Sequence, residues 1–321
     1  MSQLLRVEGL RVYYYSLRGI VKAVDGVNFS VNRGETLGLA GESGCGKSTL
    51  GFTLLRLVPP PGRIVSGRII FDGVDLVTLP EEKLRREYRW KRISMIFQGA
   101  MNALNPVRTV GDQIAEAIML HEEGITREEA LKRAAELLEM VGIDPKRINS
   151  YPHELSGGMK QRVIIAMALA LNPDLVIADE PTTALDVVVQ AQIMNLLKRL
   201  KRERGMAMIL ISHDLSIIAE IADKVAIMYA GKIVERGPAD AIYENPQHPY
   251  TQLLLRSIPR LRGAKELVWI PGAPPDLRMP PPGCRFHPRC PHAEEICRRE
   301  EPPEIEVEPE HYVSCWLYAR R

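Results

Sequence analysis

Residues 41–48 read GESGCGKS, and this stretch decides the fold. It matches the pattern G-x-x-x-x-G-K-[ST], in which glycines let backbone N–H groups converge on phosphate oxygens at a helix N-terminus. The apolar segment TLGLA precedes it and TLGFTLLRL follows it, so the sequence predicts a strand, a phosphate-binding loop (residues 41–48) and a helix. Lys47 is predicted to reach the β and γ phosphates of a nucleoside triphosphate, and the Ser48 hydroxyl to ligate Mg²⁺.

The other residues of this loop and the first residue after it are further candidates for nucleotide contacts. They are Gly41, Glu42, Ser43, Gly44, Cys45, Gly46 and Thr49. Cys45 stands at one of the variable positions of the pattern, and we interpret it as a small loop residue and not as a reactive thiol.

Polar residues at the ends of three further apolar segments are predicted to complete the site. DLVIADE at residues 174–180 predicts a strand that ends in two carboxylates. Asp179 would hold Mg²⁺ through water, and Glu180 would orient and deprotonate the attacking water. Gln98 ends ISMIFQ and His213 ends MILISH. Because ligands bind at the carboxyl ends of parallel strands, we expect Gln98 to ligate Mg²⁺ or position water, and His213 to donate to the γ-phosphate.

The remaining pattern predicts an α/β protein. LLRVEGLRVYY, KAVDGVNFSV and GRIIFDGVDL alternate as strands do, whereas residues 81–92 and 126–142 have helical amphipathic spacing. The apolar runs 175–178 and 208–212 predict strands of a parallel sheet that is covered on both faces. Residues 225–235 predict a hairpin with its turn at Ala230 and Gly231.

Length and charge exclude several classes of protein. A chain of 321 residues suggests two domains, or one domain with an appendage. The net charge of +2 argues against nucleic acid as a partner held by bulk charge. The longest uncharged apolar run, residues 163–171, has about half the length that a membrane-spanning helix needs. Arg6, Glu8 and Arg11 interrupt the N-terminal apolar residues, so we expect no secretory signal and a cytoplasmic protein without structural disulfides.

A second glycine-containing motif gives the chain a family resemblance. Residues 155–162 read LSGGMKQR before an apolar helix, and residues 184–186 read ALD. Together with the phosphate-binding loop, DLVIADE and His213, these motifs resemble the ATP-binding-cassette (ABC) ATPases over residues 4–255. The resemblance implies a P-loop (RecA-like) ATPase core with an antiparallel β subdomain and a helical subdomain at about residues 99–170. ATP and Mg²⁺ are the implied cofactors.

The resemblance also implies pairing of two cassettes. Ser156, Gly157 and Gly158 would form a second phosphate cradle at a helix N-terminus. In the family, this signature closes over ATP bound to another cassette, head to tail, and the single copy of each motif implies a second ATPase subunit or a second copy of this chain. Asp186 is a further implied contact. An aromatic residue upstream of the loop stacks on adenine, and of three consecutive tyrosines, Tyr13, Tyr14 and Tyr15, Tyr14 has the best spacing.

Two segments point to one branch of the family. Residues 99–110, GAMNALNPVRTV, and 245–255, NPQHPYTQLLL, resemble the ATPases of oligopeptide and dipeptide importers. Gly99 and Ala100 stand where the family usually has Asp-Pro, whereas Met101 and the LNP that begins at Leu104 match. The resemblance implies a peripheral subunit on the cytoplasmic face of the cell membrane, with two integral membrane permease subunits and an extracytoplasmic solute-binding protein, and no nucleic acid.

Other functions stay open at this point. Relatives of this branch import dipeptides, oligopeptides, nickel or oligosaccharides. An ABC ATPase of DNA repair or translation is a further alternative, although the sequence has neither a long coiled-coil insertion nor two cassettes. An iron-sulfur regulatory module that uses nucleotide only as a switch is the last, and Glu180 favours hydrolysis over it.

The C-terminal extension, residues 256–321, has its own composition. It contains four of the five cysteines, Cys284, Cys290, Cys297 and Cys315, in a proline-rich segment with too little apolar sequence for a core. Such a segment is predicted to be loop-rich and organised by a bound metal.

The identity of that metal is less constrained. The close C-x2-4-C pairs typical of zinc are absent, although one of the histidines at 287, 292 and 311 leaves a Cys3His zinc site open. The family resemblance implies a 4Fe-4S cluster, and free or disulfide-bonded cysteines are the third alternative. Cluster loss is expected to disorder about the last 40 residues and to leave ATP binding largely intact.

Overall fold

The computed structural model describes residues 2–99, 102–257 and 269–319. The chain divides into two units: unit 1 comprises Met1–Thr78 and Leu210–Arg321, and unit 2 comprises Leu79–Ile209. The expected boundary between residues 255 and 256 falls within unit 1, and the expected helical subdomain falls within unit 2; both stay predictions. Ala100 and Met101, which belong to a segment that resembles the importer ATPases, lie outside the described residues.

The strands of the described residues are β1 (Gln3–Ser16), β2 (Gly19–Asn32), β3 (Thr36–Ala40), β4 (Gly62–Phe71), β5 (Val74–Asp75), β6 (Ile93–Ile96), β7 (Leu175–Asp179), β8 (Ala207–Ile211), β9 (Lys224–Tyr229), β10 (Lys232–Pro238), β11 (Glu304–Glu308) and β12 (His311–Ser314). The α-helices are α1 (Lys47–Leu54), α2 (Glu81–Lys83), α3 (Val110–Met119), α4 (Arg127–Met140), α5 (Gly157–Ala168), α6 (Val187–Arg204), α7 (Leu215–Ala219), α8 (Ala239–Glu244), α9 (Pro249–Arg256), α10 (Glu295–Arg299) and α11 (Trp316–Ala319). In the described parts of the chain, no helix is both long enough and apolar enough to cross a membrane.

Unit 1 contains an antiparallel sheet in the order β2-β1-β4-β5 and the strands β11-β12-β10-β9-β3 of a mixed sheet. Strand β3 runs parallel to β9, whereas the pairs β9–β10, β10–β12 and β12–β11 are antiparallel. All five residues of β3 are buried, as its uninterrupted apolar sequence predicts. The hairpin β9–β10 is also confirmed, and both turn residues, Ala230 and Gly231, have the positive φ that tight hairpins need.

Unit 2 combines the strands β8-β7-β6 with helices α2 to α6. Strands β6 and β7 are parallel and fully buried, in agreement with their apolar sequences. Strand β8 begins in unit 2 and ends beyond Ile209 in unit 1. Helix α4 begins with a capping box between Thr126 and Glu129 and stops before Gly142, where φ is 77°, so the predicted helix over this segment is confirmed.

The helix predicted over residues 81–92 ends four residues early and is π-helical in its second part. Only Glu81–Lys83 is α-helical, and a π-helical turn, Leu84–Tyr88, follows it. The chain leaves the helix at Arg89, whose backbone is extended, and at the next residue, Trp90, φ is 70° and the indole N–H donates to the Met167 carbonyl at 2.6 Å. A tertiary hydrogen bond thus overrides the local helical pattern, which a sequence pattern does not reveal.

The C-terminal extension joins the sheet of unit 1 at a buried polar contact. Strand β12 pairs with β10, and β11 pairs with β12. Glu235 on β10 is 1% exposed, and its carboxylate accepts hydrogen bonds from the backbone N–H groups of Gln247 and His248 at 2.6 and 2.9 Å. The Nε2 atom of His311 on β12 lies 2.8 Å from the same carboxylate. One side chain therefore fixes both the turn before α9 and the added strand.

We expect Glu235→Ala to lower the free energy of unfolding by about 3 kcal/mol, because three polar partners lose their acceptor where water is excluded. The control is Glu304→Ala, whose carboxylate bonds Arg236 at 2.9 Å on a partly exposed strand. That change is expected to cost less than about 1 kcal/mol. Denaturant unfolding of both variants measures the difference, and equal losses would contradict the role of Glu235.

Candidate functional site

The phosphate-binding loop connects β3 to α1, as predicted, and it packs directly on the backbone of two strands. Gly46 has φ 107°, and a Cβ added there would lie 2.0 Å from the Ala23 carbonyl oxygen in β2. A Cβ at Gly41, where φ is 150°, would lie 2.1 Å from the Met228 carbonyl oxygen in β9. Only glycine fits at these two positions, so the close approach of the loop to β2 and β9 requires glycine.

Lys47 lies inside the curve of this loop. Its side chain is buried, and its ammonium donates hydrogen bonds to the carbonyl oxygens of Gly41 at 2.7 Å and Glu42 at 3.0 Å. Cys45 is also buried, and burial raises the pKa of its thiol. A neutral, buried thiol agrees with the interpretation of Cys45 as a packed loop residue.

The three tyrosines of β1 have different surroundings. The Tyr13 hydroxyl donates to Asp25 at 2.7 Å, and burial together with this bond raises the pKa of Tyr13 to about 12. Tyr15 is exposed. The Tyr14 hydroxyl lies 3.4 Å from the Thr49 hydroxyl in the first turn of α1. Tyr14 is thus the one beside the helix that follows the loop, and its contact with adenine stays a prediction.

In unit 2, predicted residues lie at the carboxyl ends of two neighbouring parallel strands. Asp179 is the buried last residue of β7. Glu180 follows with φ 47°, and its carboxylate accepts a hydrogen bond from the Thr183 hydroxyl at 2.9 Å. Gln98 is exposed just after β6. This placement gives one buried carboxylate, one oriented carboxylate and one amide at the same sheet edge.

The signature and the ALD motif also meet in unit 2. Ser156 caps α5, and its hydroxyl accepts a hydrogen bond from the Met159 N–H at 3.3 Å. A Cβ added at Gly158 would lie 2.7 Å from a methyl group of Val189 in α6. Asp186 caps α6 and accepts a hydrogen bond from the N–H of Val189 at 2.9 Å. The predicted cradle therefore has the helix N-terminus that an anion site requires.

The predicted nucleotide residues are divided between the two units. Unit 1 holds Tyr14, residues 41–49 and His213, which is exposed after β8. Unit 2 holds Gln98, Ser156, Gly157, Gly158, Asp179, Glu180 and Asp186. The roles of these residues stay predictions.

Sequence reasoning missed two partners of the phosphate-binding loop. The guanidinium of Arg289 donates to both carboxylate oxygens of Glu42, at 2.6 and 2.9 Å. The Glu42 backbone N–H donates to the Tyr250 hydroxyl at 3.0 Å. Tyr250 lies in the segment HPYTQLLL, which resembles the importer ATPases, but the sequence gives it no role. No sequence signal marks Arg289.

The four C-terminal cysteines line one cavity, which we call the cysteine cavity. All five cysteines, each within the described residues, are free thiols. Burial, together with the neighbouring cysteines, raises the pKa of Cys284 to about 11 and that of Cys315 to about 12. The thiols of Cys284 and Cys315 are therefore neutral unless a ligand stabilises their thiolates.

Among the described residues, no group of three or more His, Cys, Asp or Glu side chains is arranged to hold a metal ion. His311, a candidate zinc ligand, pairs with Glu235 and does not line the cysteine cavity. The metal-binding character of the extension is therefore not supported by this arrangement and stays a proposal.

His248 also lines the cysteine cavity. Its Nδ1 accepts the Tyr250 N–H at 3.0 Å, so in the neutral ring the proton sits on Nε2. Burial lowers the pKa of His248 to about 4, which keeps the ring neutral at physiological pH. The buried Nε2 has no hydrogen-bond partner among the residues that the structure describes.

Comparisons with protein families and solved structures define the class of protein. Residues 24–183 match the family model described as ABC transporter, and residues 234–297 match the model described as oligopeptide/dipeptide transporter, C-terminal region. The dimeric structure of MJ0796, a bacterial ABC transporter cassette, is 29% identical with a TM-score of 0.65 and covers 74% of this chain and 99% of that chain. The cbiO1 structure from Clostridium perfringens is 30% identical with a TM-score of 0.65 and covers 76% of this chain and 92% of that chain. The fold is that of an ABC ATPase cassette.

Full-length relatives identify the branch. The oligopeptide transport ATP-binding protein OppD of Bacillus subtilis is 51% identical, over 99% of this chain and 89% of that protein. The dipeptide transport ATP-binding protein DppD of the same organism is 48% identical, over 100% of this chain and 96% of that protein. The chain therefore belongs to the family of ABC transporter ATP-binding proteins that includes the oligopeptide and dipeptide transport ATP-binding proteins, and the predicted resemblance is confirmed.

The packing of the loop predicts unequal effects of two glycine substitutions. Both Gly44 and Gly46 have positive φ, but a Cβ at Gly44 meets nothing within 4 Å. We expect Gly44→Ala to cost about 1 kcal/mol of backbone strain, and Gly46→Ala to cost about 3 kcal/mol because the methyl group also displaces β2. Thermal unfolding without nucleotide measures both, and similar costs would show that the loop is not held by the strand.

Proposed function

We propose that this chain is the ATP-hydrolysing subunit of an importer for dipeptides or oligopeptides. The observation that carries the proposal is the similarity to OppD, 51% identity over 99% of the chain, which includes the C-terminal region as well as the cassette. A cassette alone is compatible with many transported solutes. Similarity through the C-terminal region favours the peptide branch over import of nickel or oligosaccharides.

Each predicted residue has a role in this proposal. The ammonium of Lys47 exchanges its two carbonyl partners for phosphate oxygens, and the Ser48 hydroxyl ligates Mg²⁺. Asp179 and Gln98 hold the metal or its water. Glu180 deprotonates the attacking water, and its hydrogen bond with Thr183 at 2.9 Å supports a fixed orientation. His213 donates to the γ-phosphate, and Tyr14 stacks on adenine.

Turnover requires a second cassette. The cradle of Ser156, Gly157 and Gly158 closes over ATP bound to the partner cassette, and Asp186, which caps the neighbouring helix, contacts that nucleotide across the interface. The partner is a homologous ATPase subunit or a second copy of this chain. Two permease subunits bind the pair at the cytoplasmic face of the membrane, and a solute-binding protein delivers the peptide. Closure of the two cassettes drives the permease.

Glu180→Gln tests the assignment of the base. We expect ATP turnover to fall by about 100-fold or more while ATP stays bound and the chain is trapped as a dimer. Glu203→Gln, at the end of α6, is the matched control and retains parental turnover. Phosphate release and size-exclusion chromatography with ATP give both readouts. A Glu180→Gln variant with parental turnover would remove Glu180 from the mechanism.

Uptake in cells tests the transport assignment with the same variant. A strain that lacks the gene loses uptake of labelled peptides, the parental gene restores it, and Glu180→Gln does not. Labelled Ni²⁺ and an oligosaccharide serve as competing solutes. If the parental gene restored uptake of Ni²⁺ or of the oligosaccharide and not of peptide, the peptide assignment would be overturned and the ATPase assignment would stand.

We further propose that Cys284, Cys290, Cys297 and Cys315 hold a 4Fe-4S cluster. Among the described residues no group of side chains is arranged to hold a metal ion of any kind, so the proposal rests on the chemistry of the four thiols and on the cavity that they share. A cluster distributes its thiolates over several irons and accepts wider separations. Four thiols line one cavity, and the Nε2–H of His248, which lines the same cavity, is a hydrogen-bond donor without a partner among the described residues; both observations support this larger group. When bound, the cluster would cross-link the loop-rich segment through four thiolate bonds.

Anaerobic reconstitution with iron and sulfide tests this assignment. We expect equal amounts of iron and acid-labile sulfide in the protein, and their loss in Cys297→Ser. Cys45→Ser is the matched control because Cys45 lies in the phosphate-binding loop, and that variant retains the cluster. Bound zinc, or four free thiols after reconstitution, would overturn the assignment.

A further inference from the structure

Glu42, the second residue of the phosphate-binding loop, is held through each of its polar groups. Its carboxylate receives both arms of the Arg289 guanidinium, and its N–H donates to Tyr250. Its carbonyl oxygen accepts hydrogen bonds from the Lys47 ammonium at 3.0 Å and from the Cys45 N–H at 3.3 Å. Two of these partners, Arg289 and Tyr250, come from outside the loop.

Arg289 is itself fixed in place. Its side chain is 6% exposed, its Nε donates to the Pro271 carbonyl oxygen at 2.7 Å, and one arm lies 3.3 Å from the Tyr229 hydroxyl. The hydrogen bonds to Glu42 raise the pKa of Arg289, so its guanidinium stays charged. A two-pronged bond between a rigid arginine and a carboxylate fixes direction as well as distance.

The position of the Glu42–Arg289 ion pair matters because, in the proposed function, the same loop binds the negatively charged triphosphate of ATP. A carboxylate within a triphosphate site repels phosphate unless a cation neutralises it. Arg289 supplies that cation, and its planar fork keeps the carboxylate turned toward the extension. The positive charge of Lys47 is then not needed to neutralise Glu42 and can act on the phosphates.

The same arginine is adjacent in sequence to the cysteine cavity. Cys290 follows it directly and lines the cavity. On the other side, Phe286 also lines the cavity and packs on Tyr250, with ring centroids 5.3 Å apart. Two short paths therefore join the cavity to Glu42, one through Arg289 and one through Tyr250.

We propose that Arg289 is a positioning residue for the ATP site, which neutralises Glu42 and couples the order of the cysteine-bearing segment to ATP affinity. This inference rests on the proposed ATPase function. It differs from the expectation, drawn from sequence, that changes in the extension leave ATP binding largely intact. Because coupling is reciprocal, ATP must also stabilise residues 284–297.

The first test is a set of ATP-affinity measurements on the full chain. Arg289→Gln is expected to raise the dissociation constant for ATP about tenfold, because it leaves Glu42 as an uncompensated anion. Adding Glu42→Gln removes that anion and is expected to restore the constant to within about threefold of the parent. A merely structural role of Arg289 would give no such rescue.

Two arginines of the same extension serve as controls. Arg285 is buried to a similar degree and pairs with Asp25 in place of Glu42. Any loss of affinity in Arg285→Gln is expected to persist when Glu42→Gln is added. Arg299, exposed and paired with Glu295 at 2.7 Å, is expected to leave affinity unchanged when it is replaced by Gln.

The second test is hydrogen exchange of residues 284–297 with and without ATP. We expect ATP to slow exchange about fivefold or more in the parent and less than about twofold in Arg289→Gln. If Arg289→Gln does not fold, the same exchange measurement on Glu42→Gln decides the question. This variant weakens the same ion pair, and we expect ATP to slow exchange of its residues 284–297 by less than about twofold.

The outcomes separate this inference from the function on which it rests. A parent chain that does not bind ATP would remove the proposed function. A parent that binds ATP, together with an Arg289→Gln variant of equal affinity or with unchanged protection of residues 284–297, would overturn the coupling and leave the ATPase assignment intact.

Discussion

The close approach of the phosphate-binding loop to two strands is the constraint on which unit 1 depends. At Gly46 and Gly41, a single added carbon would come within 2.0 and 2.1 Å of carbonyl oxygens in β2 and β9. Close-packed backbones of this kind do not yield to small changes in side chains. These contacts hold the loop in the curved shape of an anion site through the backbone of β2 and β9.

Strand β9, on which the loop packs, is connected through the sheet to the C-terminal extension. It leads through a two-residue turn into β10, and β10 pairs with β12 of the extension. Buried ion pairs complete the attachment: Arg289 with Glu42, and Arg285 with Asp25. Such pairs add little net stability compared with apolar packing, but losing one partner leaves a buried charge behind. They act chiefly as fixed points, which suits a contact that must hold a loop in one orientation.

Local patterns predicted much of this molecule, and contacts between distant residues account for what they missed. The loop, the buried strands and the capped helix α4 follow from residues close together in sequence, whose periodicity and turn chemistry act locally. The helix predicted over residues 81–92 ends early because Trp90 bonds Met167, and the Glu42–Arg289 pair joins residues 247 positions apart. A near-balanced overall charge hides such pairs, because it records the sum of charges and not their partners.

The spacing of the cysteines has the same explanation. Cys284 and Cys290 flank a short 3-10 turn (His287–Arg289), Cys297 lies in α10, and Cys315 follows β12. The β11–β12 hairpin is paired with β10, and this pairing places Cys315, which follows β12, at the cavity. The spacing rules for zinc sites expect close pairs of cysteines in short motifs. Here the four cysteines lie on separate elements of the extension. The strand pairing with β10 therefore attaches the extension independently of the cavity, so under the proposed cluster only residues 284–297, and not β11 and β12, would depend on the bound group for their order.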